Sequence, residues 1–107
     1  MIEFDLPKGI IMKVKAWNGG NSTYGIRVGF PNRTQFFEPS WTEIEVELDG
    51  QTHHFSLTPG FWNHCPEFRS PIIREWLRRH DLLTWPRNQP PVFELHSLGG
   101  NCFRLIR

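Results

Sequence analysis

At 107 residues the chain is long enough for one domain around a single core and too short for two. Its formal net charge is +1, so bulk charge does not announce a polyanion partner. No apolar run approaches membrane-spanning length, and no membrane partner is expected. Five Trp and nine Phe supply large buried areas, and nine Gly with nine Pro imply frequent turns, a balance that favours a β-rich domain over a helix bundle. The charges are unevenly spread: Glu38 to Asp49 holds five acids and no base, whereas Arg69 to Arg79 holds four arginines against one acid. Cys65 and Cys102 lack metal-ligand spacing, and Met1-Ile2-Glu3-Phe4-Asp5 has neither the basic nor the apolar region of an export signal. A cytoplasmic location with reduced thiols is expected.

Ile10, Met12, Val14 and Ala16 alternate with Ile11, Lys13, Lys15 and Trp17, which predicts a strand with one mixed face. Asn18-Gly19-Gly20-Asn21-Ser22 is the following turn. A second strand is expected through Tyr24, Ile26, Val28 and Phe30, its outer face bare but for Arg27 because Gly25 and Gly29 flank it. Such glycines let another backbone or a bulky ligand approach closely, or accompany strand curvature. Pro31 to Gln35 is expected as a short polar loop, and Glu38 to Trp41 as a turn or a single helical turn. Thr42 to Leu48 alternates perfectly, Asp49-Gly50 supplies a type I′ turn, and Gln51 to Leu57 returns. That register sets Ile44 against Phe55, Val46 against His53 and Glu45 against His54, and leaves Glu43, Glu45 and Glu47 as a solvated acidic face.

Phe61 to Arg69 is expected as an ordered loop. Ser70 then sits at an N-cap and Pro71 at N1 of a helix over about residues 70–80. Ile72, Ile73, Trp76 and Leu77 share its apolar face, and Glu75 is placed to pair with Arg79. Beyond a proline-rich connection, strands around Phe93 and Leu95 and around Phe103 and Leu105 form a third hairpin about Leu98-Gly99-Gly100-Asn101. The whole is a single domain over 1–107. It is mainly β, a small seven-stranded open pseudobarrel with one clear helix and a second short one as a candidate.

Chemistry-bearing patterns are sparse. Neither a nucleophile elbow, a zinc-protease helix nor a phosphate loop occurs, and no catalytic residue, metal or cofactor is assigned. His64 beside Cys65 suggests a thiol nucleophile, but neighbours on an extended segment point apart and no third group orients them. His53, His54, His64 and His80 match no ligand spacing. Binding is the better class. Arg27, Asn32, Arg33, Thr34 and Gln35 form one polar cluster, and Asn63, His64, Glu67, Arg69 and Ser70 another. Arg pairs with guanine O6 and N7, Asn or Gln with adenine N6 and N7, and Glu accepts from cytosine N4. A protein-interaction subunit, an adaptor or inhibitor with Trp62, Trp85 and Pro90-Pro91 exposed, is the competing class.

From Ile26 onward the chain resembles a B3-type DNA-binding domain, the plant transcription-factor module related to DNA-recognition domains of bacterial restriction enzymes. The likeness rests on Arg27 to Phe37 as a strand-then-proline entry, on Ile44 to Gly50 leading to Phe55, and on Gly60-Phe61-Trp62-Asn63. It continues in Trp76 to Leu82, Val92 to Leu95 and Asn101 to Leu105. Phe68-Arg69-Ser70-Pro71 stands where that family carries a glycine-tryptophan pair. The resemblance implies a seven-stranded pseudobarrel with two short helices that grips the major groove of double-stranded DNA between two arms. Its N-terminal arm would carry Arg27, Asn32, Arg33 and Thr34, and its C-terminal arm Asn63, His64, Glu67 and Arg69. Such a module works without catalysis, targeting a nuclease or a regulatory protein partner.

Overall fold

Alternation and turn chemistry decide most of the architecture seen in a computed structural model, which describes residues 6–107. Met1 to Asp5, the stretch in which no export signal is read, lie outside the described residues. Strand β1 (Ile11–Gly20) buries Met12, Val14 and Ala16 and turns Ile11, Lys13 and Lys15 outward. It runs past the expected turn at Asn18, absorbing an irregularity between Asn18 and Gly20. The reversal falls on Asn21 and Ser22, whose φ values of 51° and 62° are those of a type I′ turn. β2 (Thr23–Arg27) returns with Ala16 opposite Ile26.

The strand expected to continue to Phe30 stops at Arg27. Gly29 adopts φ 86°, open to glycine at little cost, and Pro31 starts helix α1 (Phe30–Phe36), so Phe30 ends up 52% exposed. The polar loop expected over Pro31 to Gln35 is therefore helical. Glu38 to Trp41 is a turn closed by the Trp41 N–H on the Glu38 carbonyl. β3 (Glu43–Leu48) and β4 (Gln51–Ser56) pair in the expected register, with Ile44 opposite Phe55, Val46 opposite His53 and Glu45 opposite His54.

The stretch expected as loop over Phe61 to Arg69 instead holds helix α2 (Pro59–Asn63), capped by the Thr58 hydroxyl, and a three-residue strand β5 (Glu67–Arg69) on the free edge of β2. Helix α3 (Pro71–Arg79) follows as expected, its Ser70 hydroxyl accepting from the Ile72 N–H. Ile73, Trp76 and Leu77 are buried, while Ile72 stays at the surface. Glu75 pairs with Arg78 (Nε–Oε2 2.8 Å) rather than Arg79, which leans toward Asp49. β6 (Val92–Gly99) and β7 (Cys102–Ile106) form the last hairpin.

The strands make one seven-stranded sheet in the order β4-β3-β7-β6-β1-β2-β5, all neighbours antiparallel except β3 with β7. Its two edge strands meet through side chains: the Phe55 and Phe68 rings lie 5.2 Å apart, so the sheet is a nearly closed pseudobarrel. Stacked Phe37 and Phe103, 5.3 Å apart, join Phe61 at the end carrying α1 and α2. At the other end Trp76 packs on Phe93, and His80 Nε2 lies 2.8 Å from Asp49 Oδ2, tying α3 to the β3–β4 turn. No helix among the described residues is long and apolar enough to cross a membrane.

Three stability outcomes follow. Ser70→Ala should cost about 1 kcal/mol through the lost cap. Gly25→Ala should cost about 1–3 kcal/mol or more, because a Cβ there would sit 2.5 Å from the Phe68 carbonyl oxygen. Asp49 has its pKa lowered, chiefly by the His80 hydrogen bond against an opposing effect of burial. A folded-state carboxyl pKa below the unfolded one contributes stability above the ordinary Asp range and loses it as pH falls through the folded value. Urea titrations at neutral and acid pH should therefore show Asp49→Asn losing its effect in acid.

Candidate nucleic-acid interface

Register alone brings the proposed arms together. On the outer face of β1, β2 and β5, Lys15 stands opposite Arg27 and Arg27 opposite Glu67; in the next row Trp17, Gly25 and Arg69 align. Because Gly25 has no side chain, the Arg69 guanidinium reaches across it and lies 5.3 Å from the Trp17 ring centroid. Lys13 continues the strip along β1, its ammonium 3.4 Å from Glu94 on β6. A hollow of about 210 Å³ lies at the strip's end between Arg69 and Arg74, and Arg74 Nε is buried without a hydrogen-bond partner among the described residues.

The residues expected on an N-terminal arm lie on β2 and α1. Asn32 spends its amide on structure, donating to the Lys13 and Val28 carbonyls at 2.9 Å each. Arg33 donates to the Trp62 carbonyl at 2.7 Å and the Phe61 carbonyl at 3.2 Å, and its guanidinium covers the Phe30 ring. It thereby clamps α1 to α2, so the two arms touch and form one ridge instead of two separated fingers. Thr34 and Gln35 are exposed on the outer turn of α1.

The residues expected on a C-terminal arm lie on α2, at its end, and on β5. Asn63 and His64 are exposed where α2 ends. Glu67 is not at the surface: its side chain is 1% exposed, with Oε2 3.2 Å from Arg27 Nε and Oε1 buried without a partner among the described residues. Arg27 itself remains 48% exposed. Arg27, Glu67 and Arg69 are thus brought together, with Thr34, Asn63 and His64 on the flanking helices. Lys15 and Trp17 belong to the same strip and were missed. The signal was available in the exposed phase of β1, opposite Met12, Val14 and Ala16.

The acidic ribbon lies elsewhere. Between β3 and β2 stand β4 and β5 one way round the barrel and β7, β6 and β1 the other. Its glutamates are also less bare than alternation implies. Glu47 pairs with Arg104 and Glu45 with His54, and the Cys102 thiol donates to Glu45 Oε2 at 3.0 Å. His64 and Cys65 are both exposed at the end of α2, and both cysteines are free. Trp62 and Trp85, expected exposed for an adaptor surface, are half-buried. Trp62 packs edge-on against Phe61 at 5.1 Å and Trp85 against Tyr24 at 6.2 Å. Comparison with protein-family models, curated proteins and solved structures gives no match.

Glu45 has a measurable consequence. The carboxylate that accepts from the Cys102 thiol, with burial second, pushes its pKa up to about 11. Since the thiolate is the nucleophile, iodoacetamide near pH 8 should alkylate exposed Cys65 and spare Cys102. Glu45→Gln should make Cys102 alkylation detectable at lower pH.

Proposed function

We propose that this chain recognises double-stranded DNA without acting on it chemically, as a targeting module for a nuclease or regulator. The β2–α1 and α2–β5 ridge would enter the major groove. The single observation that carries the reading is the strip of Lys15, Arg27 and Arg69 on one exposed face, joined by Trp17 and Lys13 and lying away from the glutamate ribbon. Neighbouring strands lie about 4.8 Å apart, so the paired β2 and β5 have the dimensions of a two-stranded ribbon. A B-DNA major groove is about 12 Å wide and admits a β-ribbon. Lys15 is a point charge suited to a phosphate, while Thr34, Asn63 and His64 supply exposed side-chain hydrogen-bonding groups, uncommitted among the described residues, on the ridge's flanks.

Binding of the chain to duplex DNA, measured by fluorescence anisotropy over a series of salt concentrations, tests this. The logarithm of the association constant should fall with the logarithm of salt by about 0.9 per phosphate engaged. Lys15→Ala should weaken binding to all duplexes alike and reduce that slope by about one. A flat salt response, or retention of a partner protein after nuclease treatment with no duplex binding, would overturn the reading in favour of a protein-binding subunit.

A further inference from the structure

We infer that Glu67 is a positioning residue, holding Arg27 as a bidentate reader of guanine, so that the recognised duplex carries a guanine where Arg27 meets it. This rests on the DNA-binding reading above and narrows it.

The inference comes from which atoms are engaged. Glu67 stands opposite Arg27 in the β2–β5 ladder, and its carboxylate accepts from Nε, the guanidinium nitrogen nearest the chain. Among the described residues no hydrogen bond engages either Nη of Arg27, and the side chain is 48% exposed. Glu67 thus anchors the guanidinium at Nε, and the fork of two terminal nitrogens is left without a hydrogen bond among the described residues. Arginine has donors only, so the fork requires two acceptors side by side. Guanine presents them as N7 and O6 on the major-groove edge, whereas adenine sets a donor beside N7 and cytosine offers a donor. Immobilising a long side chain on binding is costly, and a side chain already held loses less.

The other arginines are differently engaged. Arg33 gives Nη1 to the α2 carbonyls, and Arg78 gives both Nε and Nη2 to Glu75. Arg104 also meets a carboxylate through Nε, but Glu47 is 25% exposed and stands in the acidic ribbon. The Glu67 carboxylate is buried with one oxygen unpartnered among the described residues, a burial that costs the fold, and because Arg27 is 48% exposed, removing the carboxylate leaves the guanidinium within reach of water. What an apolar residue would not do is orient Arg27. Glu67 also cannot contact cytosine as the sequence suggested, because its side chain does not reach the surface.

Selection from a pool of randomised duplexes, followed by anisotropy on the enriched sequence, tests the assignment. The wild-type chain should enrich a motif with one invariant guanine. Replacing that guanine by 7-deazaguanine should weaken wild-type binding about 5- to 150-fold. Arg27→Lys keeps the charge and loses the fork; it should lose the preference at that position alone and become insensitive to the deaza substitution. Glu67→Met should melt no lower than wild type yet lose most of the same preference. Glu67→Gln, whose amide oxygen still accepts from Nε, should retain it. A motif without an invariant guanine, or full discrimination by Glu67→Met or Arg27→Lys, would overturn the inference while leaving DNA binding intact. Absence of duplex binding at low salt would remove the underlying reading, and the inference with it.

Discussion

A strand of three residues holds the candidate surface in place, and it can pair only because Gly25 has no side chain. With the Phe68 carbonyl 2.5 Å from where a Cβ would be, any other residue would push β5 off the edge of β2. Successive β5 side chains face opposite ways, and each has a distinct task. Phe68 turns inward, is 1% exposed and closes the barrel against Phe55. Glu67 and Arg69 turn outward, one under Arg27 and the other over Trp17. Barrel closure and the placement of the charged groups are therefore one event, and disturbing either disturbs both.

Elements carrying their own signals were legible. The β3–β4 hairpin has unbroken alternation and an Asp49-Gly50 turn, and its three named cross-strand pairs form as read. Helix α3 carries a serine cap, a proline at its start and a coherent apolar face, and it begins where those place it. α1, α2 and β5 were not legible, because their existence depends on distant contacts. α1 contains no buried residue and is held through Asn32 and Arg33, which reach Lys13 and the α2 carbonyls. Alternation through Tyr24, Ile26 and Val28 pointed to a longer strand, and the positive φ at Gly29 overruled it. The burial of Glu67 was hidden for the same reason. Its partner is Arg27, 40 residues earlier in the chain, and no local pattern distinguishes a buried glutamate from a solvated one.

The near-neutral net charge hides how the charges are divided. Most acids are spent on neighbours: Glu75 on Arg78, Glu47 on Arg104, Glu94 on Lys13 and His96, and Asp49 on His80. Exposed pairs of this kind contribute little stability each, but they cancel the field locally. In the outer row of β1, β2 and β5 the same cancellation takes Lys13 with Glu94 and Arg27 with Glu67, and leaves Lys15 and Arg69 without an ion pair among the described residues. A chain with formal charge +1 can in this way present a cationic strip.

Lys15, Arg27 and Arg69 in that strip also differ in what they can do. Lys15 is a mobile, strongly hydrated charge with no fixed direction, suited to a phosphate whose position varies. The Arg69 guanidinium lies 5.3 Å from the Trp17 ring centroid, a cation–π approach to an indole. Arg27 alone in the strip is held by a charge-assisted hydrogen bond at Nε. Long-range attraction needs only the first kind of group, whereas discrimination between bases needs the last. In the reading proposed here the two requirements are met by different residues one strand apart. Affinity and sequence preference should then separate under mutation, which an unordered basic patch would not allow.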